Sequence, residues 1–303
     1  MTGGFGFIGS NIIKLLNGQG HSDITVVDNL KDKKKFFNFN ELQIKDFVPV
    51  SRFYDNVEKF DNFDVIFHSG ANSSTVDWHG ENMLMNNFSR SKELLNLAAS
   101  KDIRFIYASS ASVYGSSELS DDSDSARLSP INVYAYSKLL FDNYVRELGY
   151  PNAVGLRYFN VYGPGESHKG EMASAVYQFI KQNKTSRVIN LFGAHDGYSA
   201  GDQSRDFIYV DDICKINLMS WLNPIPGGVY NIGTGSPVSF NSIANKIIEI
   251  MGYGQVRYIP FPDKLKNSYQ SFTKANLTKF HKAYGLFQHT EIYQGLQNYI
   301  NKF

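Results

Sequence analysis

TGGFGFIG, Thr2 to Gly9, opens the chain, and its reading decides the fold. Gly3, Gly6 and Gly9 give G-x-x-G-x-x-G, followed by an apolar helical pattern from Ile8 to Leu16. Glycines let a backbone turn tightly and approach a pyrophosphate. The N-terminus of the helix behind them offers unpaired N–H groups and partial positive charge. Asp28 ends the next strand-like run, Ile24 to Val27, where the ribose hydroxyl of a dinucleotide is expected. Such a loop is normally fed by a parallel strand, yet only Met1 and Thr2 precede Gly3. The expectation is therefore either a misassigned start or a shortened central strand that leaves the protein less stable.

Working outward, β-branched runs alternate with helical patterns, the signature of a parallel sheet covered by helices. Val65 to His68, Phe105 to Ala108 and Val154 to Arg157 read as buried strands; Met83 to Ala99 and Asn132 to Leu148 read as helices. After about Asn160, glycine, proline and aromatic residues become frequent and the elements shorten. Val229 to Ile232 reads as a later strand, and Ser239 to Met251 as a helix opening on a serine cap. The expected architecture is α/β: a Rossmann-type doubly wound parallel sheet over residues 1–161, with 162–303 mainly a smaller α/β substrate domain and the strand near 229–232 returning to the first.

Bulk properties fit that picture and exclude others. The 303 residues can bury a sizeable core. A net charge of +1 gives no global field toward nucleic acid or membrane. No apolar run reaches the roughly 18–20 residues a bilayer needs, and the single Cys214 fits a reducing compartment; a cytoplasmic protein is expected. The seven histidines show no metal-ligand spacing, so no metal is expected. Cys214 reads as a buried helical thiol, His68 as the end of a strand, and His168 as part of a lid marked by Pro164, Gly165 and Gly170.

The second decisive stretch is INVYAYSK, Ile131 to Lys138. Tyr134 and Lys138 at i, i+4 share one helix face. A tyrosine hydroxyl is a poor base because its ordinary pKa is near 10; a cation one turn away and a positive nicotinamide ring favour the phenolate. YASSASVYG, Tyr107 to Gly115, ends an expected strand and supplies Ser110 for the same substrate oxygen. Asp28 by itself favours NAD. Asn29, Lys31, Lys33, Lys34 and Lys35 follow at once and lie where the 2′-phosphate of NADP needs neutralising.

Taken together, these motifs resemble the extended short-chain dehydrogenase/reductase superfamily over the whole chain. RYFNVYGPGESHKGEMAS (157–174), QSRDFIYVDD (203–212), YNIGTG (230–235) and YIPFPDKLKNSYQSFT (258–273) narrow the likeness. The pairing of HKG-x-MAS with PFPDKLK is similar to the ADP-L-glycero-D-manno-heptose 6-epimerase family. That resemblance implies Tyr134 and Lys169 as the two acid/base residues, with Ser110 and Lys138 completing the catalytic group. It implies cofactor contacts from Gly3, Gly6, Phe7, Ile8, Gly9, Asp28, Asn29, Lys35, Ser69, Gly70, Ala71, Asn72, Ser73, Asn86, Lys138, Val161 and Lys169. Substrate contacts fall on Ser110, Asn160, Glu171, Gln178, Phe192, Arg205 and Tyr269. Glu171 and Gln178 stand where some members have Ser and His, Val50 replaces a second basic cofactor contact, and the segment from 193 to 204 varies in length among members.

The reaction so implied inverts C6″ of an ADP-bound heptose through a transient ketone with bound NADP, or NAD, for lipopolysaccharide core supply. The resemblance also implies a homo-oligomer, a pentamer. A 4,6-dehydratase is disfavoured because Ala111 and Ser112, not an Asp-Glu pair, follow Ser110. The rivals are a nucleotide-sugar 4-epimerase and a non-catalytic nucleotide-sensing protein.

Overall fold

Short β-branched and aromatic runs form the strands of one parallel sheet: β1 (Thr25–Asp28), β2 (Asp46–Pro49), β3 (Val65–His68), β4 (Arg104–Ser110) and β5 (Ala153–Tyr158). The strand Gly228–Ile232 joins from the second half of the chain. β2 pairs with β1, and β3, β4, β5 and Gly228–Ile232 pair in that order, all parallel. Thr2 links the two sets, bridging Val27 on one side and His68 on the other. Backbone hydrogen bonds from Thr2 N to Phe67 O and from Gly3 N to Val27 O, 2.9 and 2.8 Å, fix that position. The spatial order is thus β2, β1, Thr2, β3, β4, β5, Gly228–Ile232: a Rossmann-type doubly wound sheet whose central place is held by Met1 and Thr2.

In this computed structural model every residue is described except 61, 76, 116, 118, 119, 121, 123–127, 224, 267 and 268; Asn267 and Ser268 of the Tyr258–Thr273 string therefore lie outside the described residues.

Strand residues alternate between two cores, as a period of two demands when both faces are covered. Val26, Phe67, Ile106 and Val154 pack on one side with Ile12, Ile13 and Leu16 of the helix Phe7–Gly18. Val27, Ile66, Phe105 and Ala153 pack on the other with Leu94, Leu95, Phe141 and Val145. The latter come from the helices Arg90–Ser100 and Val133–Leu148. Asn132 caps the second of these, its Oδ1 accepting from Ala135 N at 2.8 Å.

The expected helix Met83 to Ala99 differs in form. It runs as Gly80–Leu84, a π turn Met85–Ser89 and Arg90–Ser100. A π turn inserts one residue into the ladder and commonly marks a functional position; here it turns Asn87 inward to full burial.

In the second half Val188–Phe192 pairs in parallel with Gln255–Ile259, and Ser204–Arg205 pairs antiparallel with Val238–Ser239. Ser239 caps Phe240–Met251 by accepting from Ser242 N, 3.1 Å, as its position before the apolar pattern implied. Cys214 is buried in the helix Val210–Leu222, and burial pushes its thiol well above the ordinary value, which leaves it inert. Among the described residues no helix is long and apolar enough to cross a membrane.

Candidate active site

Four segments meet at the carboxyl ends of the strands, where the strand order reverses and doubly wound sheets hold their ligands. The glycine loop is the first. The helix Phe7–Gly18 starts with Gly6 as its N-cap and no side chain capping its first turn. Its leading N–H groups are thus left for an anion. Gly3 has φ +64°, and a Cβ there would lie 2.7 Å from Gly70 N. Only glycine lets this loop touch the Ser69–Ser73 segment.

Asp28 ends β1 with 4 % exposure and is fully engaged. Its Oδ2 accepts from Phe5 N at 2.8 Å; its Oδ1 accepts from Asn29 N at 2.6 Å and from Lys35 Nζ at 2.8 Å. The carboxylate therefore braces the glycine loop, and Lys35 neutralises it.

Ser69 to Ser73 follow β3 and are held from below by a buried polar chain. Ser91 Oγ donates to Asn87 O, so His68 Nε2 donates to Ser91 Oγ at 2.8 Å, and His68 Nδ1 accepts from Thr2 Oγ1 at 2.7 Å. Thr2 Oγ1 in turn accepts from Gly70 N. Burial, helped by the charge of Lys138, lowers His68 to about 3 and keeps it neutral. Asn87 clamps Asn72 in both directions: its Oδ1 accepts Asn72 N and its Nδ2 donates to Asn72 O, each at 2.8 Å. The same Nδ2 lies 3.0 Å from Ser137 Oγ, between Tyr134 and Lys138. Asn86, by contrast, turns along its own helix to Asn82 and Arg90.

The third segment is the helix Val133–Leu148 against the end of β4. The Tyr134 hydroxyl stands near the Ser110 side chain, whose Oγ accepts from Ser112 N at 3.2 Å and Ser112 Oγ at 2.9 Å. Burial raises the phenol above its ordinary value, and the Ser110 contact pulls it part of the way back. The Lys138 ammonium donates to Ala108 O at 2.8 Å, and its own burial lowers it to about 8.

One turn further on, Asp142 accepts from Tyr107, Ser109 and Arg157, the last through Nε at 2.8 Å. Arg157 continues to Tyr114, and Tyr114 to Asn231 on Gly228–Ile232.

The fourth segment is the loop Gly163 to Ser174, carrying Lys169 in the short 3-10 turn Ser167–Met172. Asn11 Nδ2 donates to Pro164 O, and Asn38 Nδ2 to Gly165 O and Phe5 O, which docks the loop on the glycine loop. His168 Nδ1 lies 3.2 Å from Asn38 Nδ2 and 3.1 Å from Gly165 O. Lys169 Nζ comes within 5.8 Å of the Phe7 ring centre. Gln178 holds Gly170 O from the next helix, while Glu171 is exposed.

Beside these lies an aromatic and cationic recess. Phe192, Phe261 and Tyr269 contact one another edge-on with centres 5.1–6.1 Å apart. His195 stacks on Phe261 at 3.9 Å. Arg205 is 7 % exposed and lies over the Tyr269 ring at 4.8 Å. It also lies over the Phe240 ring at 5.6 Å and donates to the Ser204 carbonyl, and among the described residues no carboxylate stands against it. A buried guanidinium without an acid is a site prepared for an anion. Asn160 reaches the recess through Thr273 Oγ1, which donates to its Oδ1 at 3.1 Å; Val161 lies in the adjoining strand Asn160–Tyr162.

Residues 1–233 match the NAD dependent epimerase/dehydratase family. The chain belongs to that family. Among solved structures, the ADP-L-glycero-D-manno-heptose-6-epimerase of Helicobacter pylori is similar over 100% of this chain and 94% of its own, with 30% identity and a TM-score of 0.88. The UDP-N-acetylglucosamine 4-epimerase of Methanobrevibacter ruminantium M1 and the UDP-glucose 4-epimerase of Thermotoga maritima are each 26% identical, with a TM-score of 0.83. Each similarity covers 99% of this chain and 96% of the other. The open helix start, Asp28 and the Ser69–Ser73 loop together have the chemistry to fit a nicotinamide dinucleotide, the cofactor class in the family's description.

Proposed function

We propose that the chain inverts C6″ of ADP-D-glycero-β-D-manno-heptose with bound NADP. The observation that carries this reading is the buried Arg205 over the Tyr269 ring, with no carboxylate against it among the described residues, in a chain that also holds Ser110 near Tyr134 and a lysine-bearing loop. The HKG-x-MAS and PFPDKLK strings and the 30% identity with the Helicobacter pylori heptose epimerase over the whole chain support the choice of sugar. In this reading residues 1–161 hold the cofactor and 162–303 mainly hold the substrate, and the protein works as a homo-oligomer.

Phe7, Ile8, Gly9 and the Ser69–Ser73 loop would hold the dinucleotide, with Lys35 toward a 2′-phosphate. Bound there, it supplies an acceptor that takes a hydride and gives it back. Arg205 takes the diphosphate bidentately, with Phe192 and Tyr269 against the nucleotide and Asn160, Glu171 and Gln178 along the sugar. Ser110 fixes the C6″ oxygen and Tyr134 moves its proton; Lys169 moves the proton on the opposite face. The docked loop keeps water from the ketone while it turns.

Because Lys35 neutralises Asp28, a 2′-phosphate meets a cation instead of a bare carboxylate. Lys35→Met should weaken NADP binding by about 1.5–3 kcal/mol, the worth of a charge-assisted contact, and NAD far less. Fluorescence titration with both cofactors checks this; equal losses would mean that Lys35 serves only as a brace for Asp28.

Substrate deuterated at C6″ tests the reaction. The label should stay in the product, and turnover should persist without added reduced cofactor. Loss of label to water, or stoichiometric accumulation of reduced cofactor, would refute epimerisation by hydride return. The 26% identity with two UDP-sugar 4-epimerases favours a second reading; turnover of a UDP-hexose with none of ADP-heptose would select it.

A further inference from the structure

Glu166 is fully buried in the loop that carries Lys169, and no cation bonds its carboxylate among the described residues. Four donors converge on it. Oε1 accepts from Gly163 N at 3.3 Å, Ser174 Oγ at 2.8 Å and Tyr299 Oη at 3.1 Å; Oε2 accepts from Ser174 N at 2.5 Å. Ser174 Oγ already accepts from Tyr177 N, so its proton is free for Glu166. Burial raises Glu166 above the ordinary carboxyl range, and the donors from Ser174 and Gly163, with the charge of Lys169, pull it part of the way back.

Its contacts tie together three elements. Gly163 is where the loop leaves the strand Asn160–Tyr162, Ser174 caps the helix Ala175–Ser186, and Tyr299 belongs to the C-terminal helix Ile292–Asn301. Lys169 lies one turn beyond, its backbone N bonded to Glu166 O at 2.9 Å. The loop's other side is fastened by Asn11 and Asn38.

We infer that Glu166 is a positioning residue for Lys169: its buried carboxylate closes the loop between the helix Ala175–Ser186 and the C-terminal helix, and so fixes the turn on which Lys169 stands. This rests on the reading of Lys169 as an acid/base group. Burial lowers the Lys169 ammonium below its ordinary value, and Glu166 opposes that shift. A structural carboxylate alone would leave the ionisation of Lys169 untouched.

The test reads Lys169 directly, in the full chain and without substrate. The pH dependence of its labelling by an amine-selective reagent, located by peptide mapping, gives its apparent pKa. Glu166→Gln removes the charge, so that pKa should fall by about one unit and labelling at neutral pH rise several-fold to about tenfold. Glu166→Asp should return most of the shift. A folded Glu166→Gln protein with unchanged Lys169 labelling, or a Glu166→Asp protein that behaves like it, would overturn the proposal.

Should Glu166→Gln not fold, Tyr299→Phe removes one donor and keeps the charge. Amide exchange in 163–174 should then quicken several-fold, and unchanged exchange would overturn the positioning role. Labelling and exchange need no turnover. If the variants show these effects yet the wild-type protein epimerises no nucleotide-sugar, the functional reading fails and this one stands.

Discussion

Asp142→Ala will lower the free energy of unfolding by about 3–5 kcal/mol, the cost of leaving a buried partner charge unpaired. Arg157 is 1 % exposed and Asp142 is fully buried, and their 2.8 Å contact is the only ion pair either makes among the described residues. The carboxylate also accepts from Tyr107 and Ser109 on β4, while Arg157 passes through Tyr114 to Asn231. Truncation strands two hydroxyls and a guanidinium together. Denaturant unfolding measures the loss, and a value under about 1 kcal/mol would show that water compensates. The control is Asp142→Ala combined with Arg157→Met, which removes both charges and should unfold less readily than Asp142→Ala alone. The pair lies one turn behind Lys138 and supports its ammonium, so the variant should lose activity at temperatures where it is still folded.

That pair was within reach of the sequence, since Asp142 stands four residues after Lys138 on the helix that carries Tyr134. The fold was legible because both faces of the sheet are covered: Val26/Val27, Ile66/Phe67 and Phe105/Ile106 are continuous apolar runs between glycine and polar punctuation. The glycine loop, Ser110 and Tyr134 were legible because each sits where a strand ends or a helix turns, and local pattern marks those places. What local pattern cannot mark is pairing across the chain. Nothing near Lys35 says that it reaches Asp28, and nothing near Glu166 says that Tyr299, 133 residues away, closes on it. Asn87 was hidden differently. An ideal helical period through MNNFS gives no sign of the π turn that brings Asn87 to Asn72 and leaves Asn86 on its own helix. Arg205 could be picked out as a cation, but only the folded protein shows that no acid among the described residues accompanies it.

Tyr134→Phe will cut kcat by roughly 10²- to 10⁴-fold, the range for a positioned proton transfer, while stability and cofactor content stay close to wild type. The hydroxyl stands near the Ser110 side chain, and the ring keeps its partly buried place on the helix when that oxygen is removed. Lys169→Met should cost at least about 10²-fold by the same argument. In that variant some cofactor affinity should also go, because Lys169 extends over Phe7 at the start of the glycine-loop helix. Inversion requires hydride to leave one face of C6″ and return to the other, with a proton moving at its oxygen in each orientation, so the two losses should differ in kind. With a synthetic C6″ ketone as substrate and reduced cofactor supplied, each variant should fail to form chiefly one of the two epimers. Reduction to both epimers at the wild-type ratio in either variant would remove that residue from the chemistry. Near-normal epimerisation by Tyr134→Phe would remove the Ser110–Tyr134 pair on which the reading of this site depends.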